Sequence, residues 1–153
     1  YQKIFSSCTF AEGCDLLSER IMFDNGYSDG EPANLLIHLK QRLRVPLNAI
    51  LDAALHTREM TDEEADRFGL DLLQRLGFQE EAEARGKLRR AKVSSTQLST
   101  YFVGWLELAD ILNEARLCEG PRFDLRAFNE RLLSFGSIPP RDVRALLGLD
   151  PPR

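Results

Sequence analysis

The sequence lacks the features that mark membrane-spanning, disulfide-bonded or nucleic-acid-wrapping proteins. No apolar run approaches the roughly 20 residues that a helix needs to cross a bilayer. The 3 cysteines are odd in number and form no C-x-x-C pair, which disfavours a disulfide framework and favours reduced thiols in a cytoplasmic compartment. The 20 basic side chains are outnumbered by 24 acidic ones, so the basic excess typical of nucleic-acid-binding proteins is absent.

Several catalytic motifs are missing as well. His38 and His56 are the only histidines, and they form neither an H-x-x-x-H pair nor an H-E-x-x-H motif. Local motifs alone therefore cannot complete a zinc site. There is no G-x-S-x-G turn, and no Gly-rich loop that could cradle a phosphate. What remains is a chain of 153 residues, 43% of them hydrophobic, which is enough for one folded domain.

Apolar residues recur at helical spacing along almost the whole chain, and no alternating strand pattern exceeds a few residues. The spacing predicts an all-α single domain of about six or seven helices over residues 1–153, with a tail over 148–153. The second helix should begin at Pro32 and end near His56. Pro46 lies inside it and is expected to kink or break it.

Polar residues mark where the later helices begin. Thr61 and Glu64 form a capping box, and Asp124 is a typical N-cap. Residues 94–96, Ser-Ser-Thr, can cap the most apolar helix, which should be central in the core. Cys14 and Cys118 lie within apolar helical patterns, so we interpret both as small core residues.

The first helix carries an acidic cluster. At about 100° per residue, Glu12, Asp15 and Glu19 lie within about 60° of one another, as on an ordinary solvated face. The helix is nevertheless apolar most of the way round, because three apolar residues lie on or beside that face, namely Leu16, Met22 and Phe23. Such a helix tends to be buried, and a buried carboxylate must be paired, protonated or bound to a cation. A metal-binding or catalytic role is the alternative to the solvated face.

His56 and Tyr101 are the other candidates for chemistry. Asp52 precedes His56 by one helical turn and could fix its tautomer, as a catalytic or metal-binding histidine requires. The ordinary explanation is a helix-end histidine bonded to its neighbouring aspartate. Tyr101 could donate a hydrogen bond to a developing oxyanion, or could be an aromatic core residue. We interpret His38 as structural.

Two charged groups have ordinary explanations. The basic cluster within residues 85–92 could contact a phosphate or a carboxylate, but it lacks interleaved aromatic residues and is typical of a solvated helix end. Glu107, Asp110 and Glu114 lie on one side of their helix and are interpreted as its polar face.

Four segments, in order, resemble one family, the bacterial domain-of-unknown-function family 885. Residues 10–20 resemble its E-G-W-A-x-Y-x-E segment, and residues 51–65 its L-D-x-x-L-H-T…W-T-x-E-x-A segment. Residues 97–104 resemble its Q-x-x-x-Y-x-x-G segment, and residues 123–139 its F-D-L-R-x-F-H…L-L…G-x-x-P segment. The family itself resembles helical zinc metallopeptidases, in which zinc-activated water attacks an amide carbonyl.

The resemblance implies roles for five residues. Glu12 would be a metal ligand, and Glu19 would be a carboxylate that supports this ligand without binding the metal itself. His56 and Tyr101 would steady the substrate or the oxyanion, and Asp52 would orient His56.

The family's upstream H-E-x-x-x-H-type helix is absent from these 153 residues. Cys14 and Met60 stand where the family has tryptophan, and Asn129 where a histidine is common. We therefore expect the C-terminal part of a longer zinc-dependent peptidase or hydrolase, inactive alone. Its partners would be the upstream part of the same protein and a peptide-like substrate. The alternative is a stand-alone, non-catalytic helical module that binds a protein or small ligand. Neither nucleic acid nor membrane is expected as a partner.

Overall fold

The computed structural model describes residues 6–28 and 30–149, and all regular structure within them is helical. This confirms the all-α prediction. The part of the predicted tail beyond Leu149 lies outside the described residues. The seven α-helices are α1 (Cys8–Asp24), α2 (Pro32–Thr57), α3 (Asp62–Asp71), α4 (Glu81–Val93), α5 (Ser99–Glu119), α6 (Leu125–Ser134) and α7 (Pro140–Leu147), with a π-helical turn at Leu72–Leu76 and a 3-10 turn at Gly120–Arg122.

Local sequence accounts for several helix ends. The Thr61 amide donates to Glu64 Oε2 at 2.8 Å, and the Glu64 amide donates to Thr61 Oγ1 at 3.3 Å, so the predicted capping box is present. The carboxylate of Asp124 accepts from the Ala127 amide at 2.7 Å, as predicted for an N-cap. Gly148 ends α7 with φ of 70°, a left-handed conformation that glycine adopts without strain.

Pro46 does not break α2, which continues for 26 residues. A proline removes one intrahelical hydrogen bond and crowds the preceding turn. Here the residues beyond it are anchored, because Leu47, Leu51 and Ala54 are all buried. Packing of the second half of α2 outweighs the local cost of the proline.

The chain forms two compact units, each with its own apolar core. The first unit comprises Tyr1–Ile21 and Val103–Arg153, and the second comprises Met22–Phe102. The buried core of the first unit consists of Phe10, Leu17, Leu108, Ile111, Leu112, Ala115, Phe128, Leu132 and Val143. The buried core of the second unit consists of Leu47, Leu51, Leu72, Leu73, Ala84, Leu88, Ala91 and Leu98.

Within the first unit, α1 and α5 pack backbone to backbone at two glycines. A Cβ atom on Gly13 would lie 2.8 Å from Gly104 Cα, and one on Gly104 would overlap the carbonyl oxygen of Thr9. No side chain fits between the helices at this point. The two glycines belong to the segments 10–20 and 97–104 that carry the family resemblance, and the close approach explains why those positions have no side chain.

The two cysteines predicted to be core residues differ. Cys14 is half-buried and packs against the core of the first unit. Burial, followed by the nearby charge of Asp15, raises the pKa of its thiol to about 11. The prediction for Cys118 is wrong, since it is exposed in the last turn of α5. The last buried residue of α5 is Ala115, and residues 116–119 of its final turn are all exposed.

Candidate functional site

The carboxylate of Asp52 on α2 is 2% exposed and accepts three hydrogen bonds. Its Oδ1 accepts from the Thr96 amide at 3.0 Å. Its Oδ2 accepts from the Ser99 amide at 2.9 Å and from the Ser99 hydroxyl at 2.7 Å. A carboxylate can be buried only when such donors replace its hydration.

Asp52 therefore caps α5, whose first residue is Ser99, from another helix. A negative charge at this position also stabilises the helix, because it interacts favourably with the positive end of the helix dipole. The expected cap from residues 94–96 does not form: the Ser94 hydroxyl donates back to the Arg90 carbonyl at 2.7 Å instead. Thr96 takes part through its backbone, which adopts φ of 68°, a conformation that β-branched residues rarely adopt.

His56 lies one helical turn after Asp52. The Nε2 atom of its ring makes both polar contacts of the side chain. Nε2 is 3.0 Å from the carbonyl oxygen of Ala91 and 3.5 Å from Asp52 Oδ1. A carbonyl oxygen only accepts, so Nε2 must carry a hydrogen. Nδ1 is then the nitrogen that can bind a proton or a ligand, and it has no partner among the described residues. The His56 side chain is 26% exposed.

The geometry refines the predicted role of Asp52. The expected i, i+4 contact with His56 is present but long, whereas the bond to the Ala91 carbonyl is of ordinary length. The hydrogen bonds of the Asp52 carboxylate to Thr96 and Ser99, at the start of α5, are shorter than its contact with His56. Asp52 and Ala91 together orient the imidazole, and this second partner comes from α4.

Lys92 anchors the end of α4 that carries the Ala91 carbonyl. Its ammonium lies 3.0 Å from Asp62 Oδ1 and 2.8 Å from Asp66 Oδ1 on α3. Hydrogen bonds to Asp66 and Asp62 raise its pKa. Arg85 similarly pairs with Glu81 at 2.7 Å, so these two members of the basic cluster are engaged within the second unit.

Two buried amide oxygens beside this group have no hydrogen-bond partner in the described part of the chain. The two atoms are Asn48 Oδ1 and Gln97 Oε1. In the sequence, Asn48 precedes Asp52 by one turn of α2, and Gln97 stands between Thr96 and Ser99. An unpaired buried acceptor costs about 1–3 kcal/mol. Sequence reasoning missed both residues. For Gln97 a signal existed, because it opens the Q-x-x-x-Y-x-x-G segment.

Tyr101 also belongs to the second unit, where it is half-buried on α5 two residues after Ser99. The structure therefore gathers Asp52, His56, Gln97 and Ser99 around the start of α5, with Tyr101 in its first turn.

Glu12 belongs to the first unit, on α1. It is half-buried and has no hydrogen bond or ion pair with any described residue, whereas Asp15 and Glu19 on the same helix are exposed. Within residues 6–28 and 30–149, no three His, Cys, Asp or Glu side chains are grouped as a metal site. A catalytic zinc uses three protein ligands, and Glu12 is the one ligand that the sequence resemblance predicts.

The remaining predicted residues have structural surroundings. His38 is buried and stacks on Phe23 with ring centroids 3.8 Å apart, in keeping with its structural interpretation. Glu107 and Asp110 are exposed beside a shallow pocket of about 80 Å³ lined also by α7. Glu114 pairs with the buried guanidinium of Arg144. This is a polar helix face, as predicted, and its pocket is too small for a peptide.

In the described residues no helix has the length and apolar character needed to cross a membrane. No curated protein matches the chain. A solved structure from Shewanella oneidensis, described as "a putative lipoprotein of unknown function", matches with a TM-score of 0.86 and 38% sequence identity. The match covers 94% of this chain but 26% of that one, so the chain spans about a quarter of its relative's length. The profile of the family DUF885, bacterial proteins of unknown function, matches residues 1–147, and the chain belongs to that family.

Proposed function

We propose that this chain is part of a zinc-dependent hydrolase of peptide-like substrates, in which His56 contacts the reacting group of the substrate. The observation that carries the proposal is the fixed imidazole: Nε2 is tied to the Ala91 carbonyl at 3.0 Å, and Nδ1 is left for a ligand. In its protonated form, Nδ1 donates a hydrogen bond to an oxyanion that develops on the substrate. Tyr101 supplies a second donor.

Glu12 is proposed as one zinc ligand. Support comes from its place in the family segment 10–20 and from its half-buried carboxylate, which has no partner among the described residues. Gly13, the next residue, locks this turn of α1 against α5. The other ligands would come from polypeptide outside these 153 residues. Glu19, exposed here, is proposed as a carboxylate that supports Glu12 without binding the metal itself.

The zinc proposal is tested on the complete gene product, by measuring metal content after dialysis. We expect about one zinc per chain, and Glu12→Gln should weaken zinc binding by roughly 100-fold or more, as loss of a ligand does. Glu19→Gln should weaken it by about 10-fold, within the range for a carboxylate behind a ligand. Asp15→Asn, on the same helix and exposed, is the control and should change nothing. A zinc-free protein, or full affinity in Glu12→Gln, would favour the non-catalytic binding module instead.

The role of His56 is tested with a pair of variants in the same protein, using hydrolysis of a mixed peptide pool. His56→Gln keeps a donor for the Ala91 carbonyl and lacks the outer nitrogen. It should retain stability and lose roughly 10²–10³-fold in kcat/KM, the usual effect of removing one oxyanion donor. Thr57→Ala, at the neighbouring exposed position, should leave kcat/KM unchanged. Full turnover by His56→Gln would remove His56 from the reaction.

The bacterial cytoplasm is retained as the proposed compartment. It rests on three cysteines that are all free thiols in the structure. The relative from Shewanella oneidensis is described as a lipoprotein, which makes the membrane fraction the competing outcome. Cell fractionation with an antibody against the chain decides between them: recovery with the cytosolic markers supports the proposal, and recovery with the membranes refutes it.

A further inference from the structure

The solvent-facing side of α2 carries an apolar stripe, which we call the α2 seam. Its members alternate at spacings of three and four residues and are Leu36, Leu39, Leu43, Pro46, Ile50 and Ala53. Leu36 is 69% exposed and Leu39 is 53% exposed. At about 1.5 Å per residue the seam is roughly 25 Å long.

The neighbouring side of α2 is already used for packing. Leu47 and Leu51 are buried in the core of the second unit, and Ala54 is buried as well. The seam and this side together form an apolar face wider than a single stripe, which is typical of a helix that packs on more than one neighbour. A contiguous apolar patch with a three–four spacing is also the pattern along which a second helix packs. The seam therefore has the spacing and the exposure of a surface on which another helix packs.

We propose that the α2 seam is covered by an amphipathic helix from polypeptide outside these 153 residues in the complete protein. The chain matches 26% of its structural relative at a TM-score of 0.86, so that fold has three quarters of its length available to cover this surface. This inference does not depend on the zinc proposal.

Charge favours such a helix over a second copy of the chain. Lys40 flanks the seam and favours an acidic residue on the helix that covers it. A second copy of α2 offers none, because its one acidic residue is the buried Asp52. Pro46 in the middle of the seam would also meet itself in an antiparallel pair, where interlocking side chains are needed.

The test is thiol labelling of the complete gene product, with Cys8 and Cys118 changed to serine. Leu39→Cys reports on the seam, and Arg126→Cys, whose native side chain is 88% exposed, is the matched control. We expect maleimide to label position 39 at least 10-fold more slowly than position 126, since a covered site reacts only after local opening. In the isolated 153-residue chain both positions should be labelled at similar rates.

Equal labelling rates in the complete protein would overturn the proposal, and so would a gene product of only 153 residues. Sedimentation at several protein concentrations accompanies the labelling. Protection of position 39 in a monomer supports a helix of the same polypeptide. Protection that disappears as a dimer dissociates on dilution would assign the seam to a second copy instead and refute the proposal.

Discussion

Asp52 contributes to stability because burial and hydrogen bonding act on the same carboxylate. It is 2% exposed, and its three donors come from Thr96 and Ser99, more than 40 residues along the chain. A buried charge is tolerated only while these donors remain in place. Loss of the charge therefore weakens the start of α5, where Gln97 and Tyr101 lie.

The substitution Asp52→Asn is expected to lower the free energy of unfolding by about 2–4 kcal/mol, because an amide group cannot accept all three hydrogen bonds. Urea denaturation measures the change. Asp71→Asn is the control, since Asp71 is exposed and pairs with Arg75 at 3.0 Å on the helix surface. Its effect should stay below about 0.5 kcal/mol. Equal effects of the two variants would contradict the proposed capping role of Asp52.

Cys14 should be the slowest of the three thiols to react. Burial and the charge of Asp15 raise its pKa to about 11, whereas Cys8 and Cys118 are exposed. At pH 8 the thiolate fraction of Cys14 is roughly one in a thousand, and the thiolate is the reactive form. A disulfide reagent at pH 8 should therefore titrate two thiols quickly and the third slowly. The third rate should rise with pH up to about 11; three equal rates at pH 8 would refute the assignment.

At the scale of elements, two glycines set the distance between α1 and α5. Each would place a Cβ atom inside the other helix's backbone, so the crossing depends on the absence of side chains. A glycine within a helix costs about 1 kcal/mol relative to alanine. The close contact between the helices offsets this cost.

Replacement of Gly104 by alanine is expected to destabilise the protein by about 1–3 kcal/mol, because the added methyl overlaps backbone that cannot yield easily. Gly86 is the matched control within α4, since a Cβ there would meet nothing within 4 Å. Gly86→Ala should raise stability by about 0.5–1 kcal/mol through helix propensity. Thermal and urea unfolding of the two variants should thus shift in opposite directions, and a shift in the same direction would refute the role of the crossing.

At the scale of the whole molecule, the chain spans 26% of a relative that it matches closely. Both the zinc proposal and the covered α2 seam require more polypeptide than 153 residues. The intact mass of the endogenous protein is therefore the first measurement to make. We expect a mass well above 17.4 kDa, the mass of the chain described here. A mass of 17.4 kDa would refute both proposals together, whereas a larger, zinc-free protein would refute only the first.

Much of the fold could be predicted from the sequence, because it depends on contacts between near neighbours. The period of the apolar residues gave the helices, and the caps at Thr61 and Asp124 act over three residues. Part of the candidate site is local in the same way, since Asp52 and His56 are one helical turn apart. Pro46 does not break its helix and Cys118 is not a core residue, because the outcome at each position depends on how far the neighbouring core extends.

The sequence by itself determined that the chain is helical, where most helices begin and end, and that Asp52 precedes His56 on one helix face. Tertiary structure alone decided three contacts. Asp52 caps α5, the Ala91 carbonyl determines that Nε2 of His56 carries the hydrogen, and Gly13 packs against Gly104. These contacts join residues 35 to more than 90 positions apart. No local periodicity encodes them, because they follow from the packing of whole helices on a shared core.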